Sequence, residues 1–302
     1  MCDFSITILT PTYNRAALLK RLYNSLINQT ILNFEWLIVD DGSTDSTYEL
    51  VNNFILENKI KIIYMKKENG GKHTALNYAI KKIFTKYTFI VDSDDYLKEN
   101  AIEVIYNFDK KFFNNNNNYN NICGFSFLRQ YSNGNVNVTL DANKECIGSY
   151  NKIRVYDRKI GDMAEVYLTS ILKEYPFPVF EKEKFLGEDI VWIEIGKKYN
   201  LVFSNIVIYV SDYLDDGLTK NRRKNNIVSC EGSYARALQF LSIKLHFRDK
   251  VKTILQLIIY GRFCNKKFSN ILKDSKTILT ALLYFPGIII YFNWKKYLNI
   301  KN

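Results

Sequence analysis

FIVDSDD, residues 89–95, is a short apolar run that ends abruptly in three carboxylates. A bounded apolar run of this length is typical of a strand that is buried on both faces of a parallel sheet. The end of such a strand holds charge rigidly, and carboxylates packed this densely repel one another unless a cation neutralises them. The stretch therefore predicts a buried strand with a divalent metal at its carboxyl end.

The first hundred residues repeat this arrangement. Three more apolar runs, at 5–10, 35–39 and 60–65, alternate with amphipathic helical patterns. This alternation predicts crossover helices and an α/β doubly wound sheet, which binds its ligands outside the carboxyl ends of the strands. The polar residues after the four strands are therefore expected to share one rim, and they lie at 10–15, 40–45, 69–73 and 92–95.

The residues of this rim suit a nucleotide diphosphate with a divalent ion. Mg²⁺ and Mn²⁺ are commonly held by one or two carboxylates with phosphate oxygens and water, a role that suits Asp92 and Asp94. Lys72 can offset phosphate charge, and the glycines at 70–71 let the backbone approach a ligand. Asp41 can accept a hydrogen bond from a base or a ribose.

Four segments, in this order and spacing, resemble family 2 glycosyltransferases of the GT-A fold, of the type that makes bacterial capsule and surface polysaccharides. They are TILTPTYNR at 7–15, WLIVDDGSTD at 36–45, NGGKHTALN at 69–77 and VDSDD at 91–95. The resemblance covers about residues 4–220. It implies a catalytic domain at 1–220, with a nucleotide-sugar-binding half at 1–100 and an acceptor half at 120–220, before a basic, apolar helical tail at 221–302.

The resemblance also implies an activity and its residues. The expected enzyme is an inverting glycosyltransferase that moves a sugar, most often from a UDP-sugar, to a lipid-linked or oligosaccharide acceptor in surface polysaccharide synthesis. The implied cofactor is Mn²⁺ or Mg²⁺, bound by Asp94 and Asp92. The implied contacts to the nucleotide sugar are Thr10, Pro11, Tyr13, Arg15, Asp41, Lys72, Asp92 and Ser93.

The reaction needs a base that takes the proton from the acceptor hydroxyl, and a carboxylate can serve. The family places an acidic pair in its second half, and the stretch FLGEDIVW at 185–192 resembles that segment. Asp189 is the usual choice by analogy, but related sequences keep the acid equivalent to Glu188, so both are candidates for the catalytic base. The alternative is that Glu188 caps the helix that continues through Trp192.

The rest of the second half carries fewer signals. A helix is predicted near 164–173, and strand-like pieces between 122 and 210 are expected to complete the sheet. Segments 161–167 and 212–219 resemble the family near the acceptor or the diphosphate. Some relatives add a metal-ligating histidine there, but the histidines of this chain are His73 and His246, so no histidine-completed metal site is expected. His73 either contacts the donor or caps a helix.

The net charge of +11 is concentrated at the C-terminal end. Residues 220–302 hold 17 Lys and Arg against 3 Asp and Glu, and the run at 278–292 is apolar. It is shorter than the roughly 18 residues of a spanning helix and is flanked by lysines. This pattern predicts peripheral attachment to the inner membrane surface. The alternative is that these helices pack on the catalytic domain or form a homo-oligomer interface.

Two other functional classes are weighed against this one. A nucleotidyltransferase also combines a doubly wound sheet with metal-binding carboxylates, but would show a glycine-rich basic loop where this chain has residues 10–13. A basic nucleic-acid-binding module has no recognised motif here, so nucleic acid is not an expected partner. Five scattered cysteines and the lack of a secretory signal before the first strand predict a cytoplasmic protein without disulfides or structural zinc.

Overall fold

The computed structural model describes residues 5–113, 121–136, 138–140, 145–211 and 221–298. The chain divides into two compact units. One comprises Met1–Pro176 with Lys198–Asp212, and the other comprises Phe177–Lys197 with Tyr213–Asn302. This division differs from the predicted boundary near 220, because residues 177–197, which carry the acidic pair, group with the C-terminal helices.

The first unit alternates strands and helices as the sequence predicts. Its described elements are β1 (Ile6–Thr12), α1 (Ala16–Ile27), β2 (Glu35–Asp40), α2 (Thr47–Glu57), β3 (Lys61–Lys66), α3 (Lys72–Ile80), β4 (Tyr87–Ile90), β5 (Tyr96–Leu97), α4 (Ala101–Phe113), β6 (Ile122–Gln130), β7 (Cys146–Gly148), a short π-helix (Asn151–Tyr156), β8 (Met163–Leu168), α5 (Thr169–Glu174) and β9 (Asn200–Val210).

These strands form one mixed sheet in the order β3-β2-β1-β4-β8-β6-β9-β5, with β7 paired to β9. β1 to β4 are parallel to one another, whereas β8 runs antiparallel to both β4 and β6. In register, Thr12 lies beside Asp40, which in turn lies beside Lys66. The carboxyl ends of the four parallel strands therefore share one edge, and the predicted α/β fold is confirmed.

The core of this unit comes from the apolar runs that define the strands. Trp36 on β2 is fully buried between helices, where Tyr23 of α1 and Phe54 of α2 stack with ring centroids 3.9 Å apart. Burying a large apolar side chain contributes about 1.5–3 kcal/mol, so this aromatic layer anchors both helices to the sheet. The strand ends are thereby held on a rigid support.

One local prediction was wrong. The helix expected near 164–173 is a strand over its first half, because β8 spans Met163–Leu168 and α5 begins only at Thr169. In this position Tyr167 lies opposite Thr88 of β4 and Gly124 of β6. The stretch is short and apolar, so its pattern does not distinguish a buried strand from a helix. Pairing with two neighbouring strands decides the outcome.

The second unit is helical in the part that the structure describes. Its helices are α6 (Asp189–Ile195), α7 (Arg222–Val228), α8 (Cys230–Leu241), α9 (Phe247–Phe263), α10 (Phe268–Ser275) and α11 (Leu279–Tyr297). Ile254, Leu257 and Ile258 of α9 are completely buried and form the centre of this unit with residues of α8 and α10. Among the described residues, no helix combines the length and hydropathy needed to cross a membrane.

Polar contacts tie segment 177–197 to α8. The carboxylate of Glu183 accepts the backbone N–H groups of Glu231 and Gly232 at 2.7 and 2.8 Å, which satisfies free donors at the start of that helix. Glu194 accepts a hydrogen bond from the side chain of Gln239 near the other end. These bonds explain why the segment groups with the C-terminal helices.

Candidate functional site

The loops after β1 and β2 are hydrogen-bonded to each other. Asp40 ends β2, where its Oδ1 accepts the backbone N–H of Ser43 at 2.7 Å and its Oδ2 accepts the hydroxyl of Tyr64 at 2.5 Å. The Ser43 hydroxyl accepts the backbone N–H of Asn14 at 2.9 Å, and Asn14 has a left-handed φ of 51°. Asp40 therefore shapes the rim rather than facing a ligand.

Asp41 organises the glycine loop that follows β3. Its buried carboxylate accepts Lys67 Nζ at 2.8 Å and Gly70 N at 3.0 Å on Oδ1, and Gly71 N at 2.7 Å on Oδ2. A carboxylate offers about four lone-pair positions, so these three bonds leave one of them, on Oδ2, for a further donor. The residue predicted to bind a base thus also fixes the loop that carries Lys72.

Lys72 and Asp92 meet across two strand ends. Lys72 begins α3, Asp92 follows β4, and Nζ lies 2.5 Å from Oδ1, with the side chains 27% and 30% exposed. Burial by itself would raise the pKa of Asp92, but the positive charges of Lys72 and Arg129 hold it below its ordinary value. The site therefore presents an ionised carboxylate beside an ammonium group that can reach a phosphate.

Asp94 lies in the same turn with a different electrostatic environment. Burial and the neighbouring charge of Asp92 raise the pKa of the Asp94 carboxyl group, against the opposing influence of Arg15 and Lys72. The backbone carbonyl of Asp94 accepts a hydrogen bond from the Arg21 guanidinium. The turn is thus held by its backbone, while its two carboxylates carry charge that an added cation would stabilise.

Asp95, Tyr209 and Arg129 support this turn from the side facing the sheet, and Tyr209 and Arg129 belong to none of the sequence motifs. The Tyr209 hydroxyl accepts the backbone N–H of Asp92 at 3.0 Å and donates to Asp95 Oδ2 at 2.7 Å. The Arg129 guanidinium lies 4.0 Å from the centroid of the Tyr209 ring and 3.8 Å from Asp95 Oδ2. Burial and the charge of Asp92 raise the pKa of Asp95 to about 7.

The residues predicted around the end of β1 separate into two groups. β1 continues to Thr12, so Thr10 and Pro11 lie inside the sheet rather than beyond its edge. Thr10 is completely buried, and its hydroxyl accepts the indole N–H of Trp36 at 2.9 Å. Tyr13, beyond the strand, is 47% exposed. At the end of a different strand, β4, Ser93 lies between the two aspartates and is buried. The accessible rim after β1 therefore begins at Tyr13.

His73 is buried within the first turn of α3. The helix begins at Lys72 with Gly71 as its N-cap residue and without a side-chain cap bond. The imidazole is 2% exposed, and neither ring nitrogen has a hydrogen-bond partner among the described residues. Burial lowers the pKa of His73, which favours the neutral ring with one donor and one acceptor. The capping role is absent, and the contact to a donor stays a prediction.

Glu188 and Asp189 belong to the second unit. The Asp189 carboxylate receives both arms of the Arg236 guanidinium, with Nε 2.5 Å from Oδ1. A Cβ at Gly187 would lie 2.8 Å from Arg236 Nε, so glycine leaves room for this pair. Glu188 is half-buried at the start of α6, where its side chain makes no capping bond. The capping alternative for Glu188 is therefore not observed.

The sequence also resembles the family at residues 161–167 and 212–219. Residues 161–167 lead into and form most of β8. Residues 212–219 lie outside the described residues.

The chemistry of the strand ends fits a divalent cation that shares its ligands with a substrate. In the part of the chain that the structure describes, no three His, Cys, Asp or Glu side chains form a metal-binding group. Asp92 and Asp94 supply two carboxylates, and Mg²⁺ or Mn²⁺ commonly completes such a set with phosphate oxygens and water. The raised pKa of Asp94 reflects charge that a cation would offset. The donor set suits a cation that binds together with a diphosphate.

The hydroxyl of Tyr209 provides a test of how the aspartate turn is positioned. In Tyr209→Phe the ring still packs under Arg129, but the Asp92 N–H and the Asp95 carboxylate each lose a buried partner. We expect a stability loss of about 1–3 kcal/mol, and at least about tenfold weaker Mn²⁺ binding by titration calorimetry. Tyr87→Phe is the matched control, because it loses a phenol bond to Asp109 at 2.6 Å from the opposite end of β4. Equal Mn²⁺ affinity in both variants would contradict this role.

Carboxylates and a lysine gathered at the carboxyl ends of parallel strands are placed where α/β enzymes bind their ligands. Residues 7–158, about half of the chain, match the sequence profile of Glycosyl transferase family 2. The chain belongs to this family and is a glycosyltransferase. The family assignment argues against the nucleotidyltransferase and nucleic-acid-binding alternatives.

Individual relatives agree with this assignment. The glycosyltransferase GlyG of Streptococcus pneumoniae is 24% identical over 283 residues, which cover 91% of this chain and 88% of that protein. Chondroitin synthase of Pasteurella multocida is 38% identical over 99 residues, which cover 33% of this chain but 10% of that protein. The similarity to chondroitin synthase thus concerns a small part of a much longer protein.

Solved structures confirm the GT-A fold. The structure of Staphylococcus aureus TarS 1-349 in complex with UDP-GlcNAc matches with a TM-score of 0.60 and 18% identity, over 96% of this chain and 81% of that chain. The mannosyltransferase PcManGT from Pyrobaculum calidifontis, in complex with GDP-Man and Mn²⁺, matches with a TM-score of 0.57 and 15% identity, over 97% and 82%.

Proposed function

We propose that the chain is an inverting, metal-dependent glycosyltransferase that moves a sugar from a UDP-sugar to a glycan or lipid-linked glycan acceptor in surface polysaccharide synthesis. The observation that carries the proposal is the convergence of Lys72, Asp92 and Asp94 at the rim formed by the carboxyl ends of the parallel strands in a family 2 glycosyltransferase. The complex of TarS with UDP-GlcNAc supports UDP as the nucleotide.

The first unit supplies the donor site. The remaining lone pair of Asp41 Oδ2 can accept the imide N–H of a uracil ring. Tyr13, which follows the neighbouring strand β1, offers an exposed aromatic face. Lys72 lies where it can neutralise the diphosphate while Asp92 is ionised. Arg15 adds positive charge near the same turn, since its charge lowers the pKa of Asp94 against the other influences. These groups hold the donor and stabilise the negative charge of the departing diphosphate.

Asp94 and Asp92 would hold Mn²⁺ or Mg²⁺, and the PcManGT complex with Mn²⁺ supports a divalent ion in this fold. When bound, such an ion acts as a Lewis acid toward the leaving diphosphate. The chain's own part is positional. Tyr209 and Arg129 hold the turn that carries both carboxylates, through the Asp92 N–H and the Asp95 side chain.

Inversion requires the acceptor hydroxyl to attack the anomeric carbon opposite the diphosphate, with a base to take its proton. We assign this base to the pair Glu188 and Asp189, with Asp189 as the first candidate. The Arg236 fork holds the Asp189 carboxylate in one orientation, and each oxygen keeps a lone pair for the acceptor hydroxyl. Glu188 is the second candidate.

We place this activity at the cytoplasmic face of the membrane, where a lipid-linked acceptor is available. The excess of positive charge in residues 220–302 supports this location.

Thermal unfolding with a panel of nucleotide sugars tests the donor assignment. With Mn²⁺ and a UDP-sugar at about 100 times its Kd, binding should stabilise the protein by about 2.7 kcal/mol and raise Tm by about 4 °C. GDP-mannose at the same concentration is the comparison, and the same panel with EDTA shows the contribution of the metal. A Tm that rises only with GDP-mannose, or equally with and without the metal, would contradict the proposal.

A further inference from the structure

Helix α11 presents an apolar stripe to solvent. The five side chains from Ile278 to Phe292 that form the stripe are spaced by four, three, four and three residues, so they share one face of the helix. Their exposed fractions lie between 48% for Ile289 and 80% for Ile278. The stripe consists of Ile278, at the N-cap, and Leu282, Phe285, Ile289 and Phe292. Such a row of large exposed apolar side chains on one element marks an interaction surface.

The opposite face of α11 is already occupied within its own unit. Gly287 packs closely on Ile258 of α9, where a Cβ would lie 2.7 Å from that side chain. Trp294 contacts the ring of Tyr260, also on α9, with centroids 6.3 Å apart. Because the helix is apolar on both faces and only one of them packs inside the unit, the stripe needs an external partner.

The charges around the stripe favour an anionic partner. Lys296 continues the spacing of the stripe by one further step of four residues and is exposed, as are Lys273 and Lys276 ahead of the helix. No Asp or Glu occurs between residues 275 and 302. Asp274 accepts the hydroxyl of Tyr234 at 2.7 Å. Two copies that met through this face would bring their lysines together, whereas lipid phosphates would neutralise them.

Pro286 adds a second argument against a dry protein interface. It lies inside α11 on the exposed side and lacks a backbone N–H, so the carbonyl of Leu282, one turn earlier, loses its helical partner. That carbonyl needs water or another donor. The hydrated boundary of a bilayer supplies one, but an apolar helix seam does not.

We propose that the stripe of α11 lies on an anionic lipid surface, with its apolar side chains at the acyl boundary and Lys273, Lys276 and Lys296 at the headgroup phosphates. Its geometry is that of an interfacial helix, which lies in the plane of the membrane instead of crossing it. The inference rests on the proposed function, because a lipid-linked acceptor gives the enzyme a reason to bind there. It assigns the tail to the membrane and not to a homo-oligomer.

Vesicle co-sedimentation of the full chain tests this surface. The probes are vesicles of phosphatidylcholine alone and of phosphatidylcholine mixed with phosphatidylglycerol. The stripe variant is Leu282→Gln, Phe285→Gln and Ile289→Gln, since glutamine keeps helix propensity. The matched control is Leu56→Gln, Phe84→Gln and Val228→Gln, which removes three apolar side chains elsewhere that are at least as exposed as those of the stripe variant. Circular dichroism and Tm confirm that all variants fold.

We expect the wild type and the control to bind the mixed vesicles at least about tenfold more strongly than neutral ones, and the stripe variant to lose at least about tenfold of that binding. Equal binding by the stripe variant, or no binding by the wild type, would overturn the inference. So would a wild-type dimer in light scattering that the stripe variant converts to a monomer. Metal-dependent hydrolysis of the donor, measured without vesicles, tests the proposed function separately and should be unchanged in the stripe variant.

Discussion

Replacing Asp94 with alanine should lower metal-dependent sugar transfer by about a thousandfold, equivalent to about 4 kcal/mol of transition-state stabilisation. The variant removes one of the two carboxylates that we assign to the cation. The turn itself should persist, because Arg21 holds the backbone carbonyl of Asp94 and Tyr209 holds the N–H of Asp92. Transfer rates over a Mn²⁺ titration, with Tm measured in parallel, give the answer.

The matched control for this variant is Glu68→Gln. Glu68 lies on the loop after β3, near the same rim in the chain, and is exposed. The Glu68→Gln variant removes one negative charge without removing an assigned metal ligand. We therefore expect its rate of sugar transfer to stay within about twofold of wild type. If Asp94→Ala keeps full metal-dependent activity, the metal assignment is wrong, whatever the outcome for Glu68.

The second large effect is expected at the acidic pair. Asp189→Asn should lower kcat by about a hundredfold to ten-thousandfold, the usual contribution of general base catalysis, while donor binding is preserved. Glu188→Gln should have a much smaller effect, because Asp189, oriented by both arms of Arg236, is the first candidate for the base. The measurement is kcat for transfer together with the donor-induced rise in Tm.

Asp189 also stabilises its unit, so a loss of activity alone is ambiguous. Its side chain and that of Arg236 are 19% and 17% exposed, and breaking a largely buried pair can cost about 3–5 kcal/mol. Glu183→Gln is the control, because it weakens another carboxylate contact of the same segment with α8. A control that loses stability but keeps kcat isolates the catalytic effect. A larger loss in Glu188→Gln would move the base to that residue, and no loss in either would exclude the pair.

The strand ends could be read from the sequence because parallel strands bring their carboxyl ends to one edge. The predicted rim residues Asp41, Lys72 and Asp92 all follow the carboxyl ends of their strands, β2, β3 and β4. The end of β1 was placed two residues too early. Thr12 pairs with Asp40 of a neighbouring strand, which extends β1 and takes Thr10 into the sheet.

The support under the aspartate turn could not be predicted in this way. Tyr209 and Arg129 lie more than thirty residues after the turn, on strands whose pairing with it depends on the whole sheet. Locally, each is a side chain with a polar end in an otherwise apolar strand. That pattern fits a side chain that faces solvent equally well. The same limit applies to Asp189, since its partner Arg236 lies 47 residues later.

The bond from Tyr209 to the turn after β4 has a consequence for recombination between relatives. A chimera that joins residues 1–100 of this chain to the second half of another family member would keep every motif of the nucleotide site. It would not keep this chain's Tyr209 hydroxyl and Arg129 guanidinium, which β9 and β6 place against Asp92 and Asp95. Exchange of acceptor halves should therefore succeed only where the incoming half carries a tyrosine and an arginine equivalent to these two, so the two halves cannot vary independently.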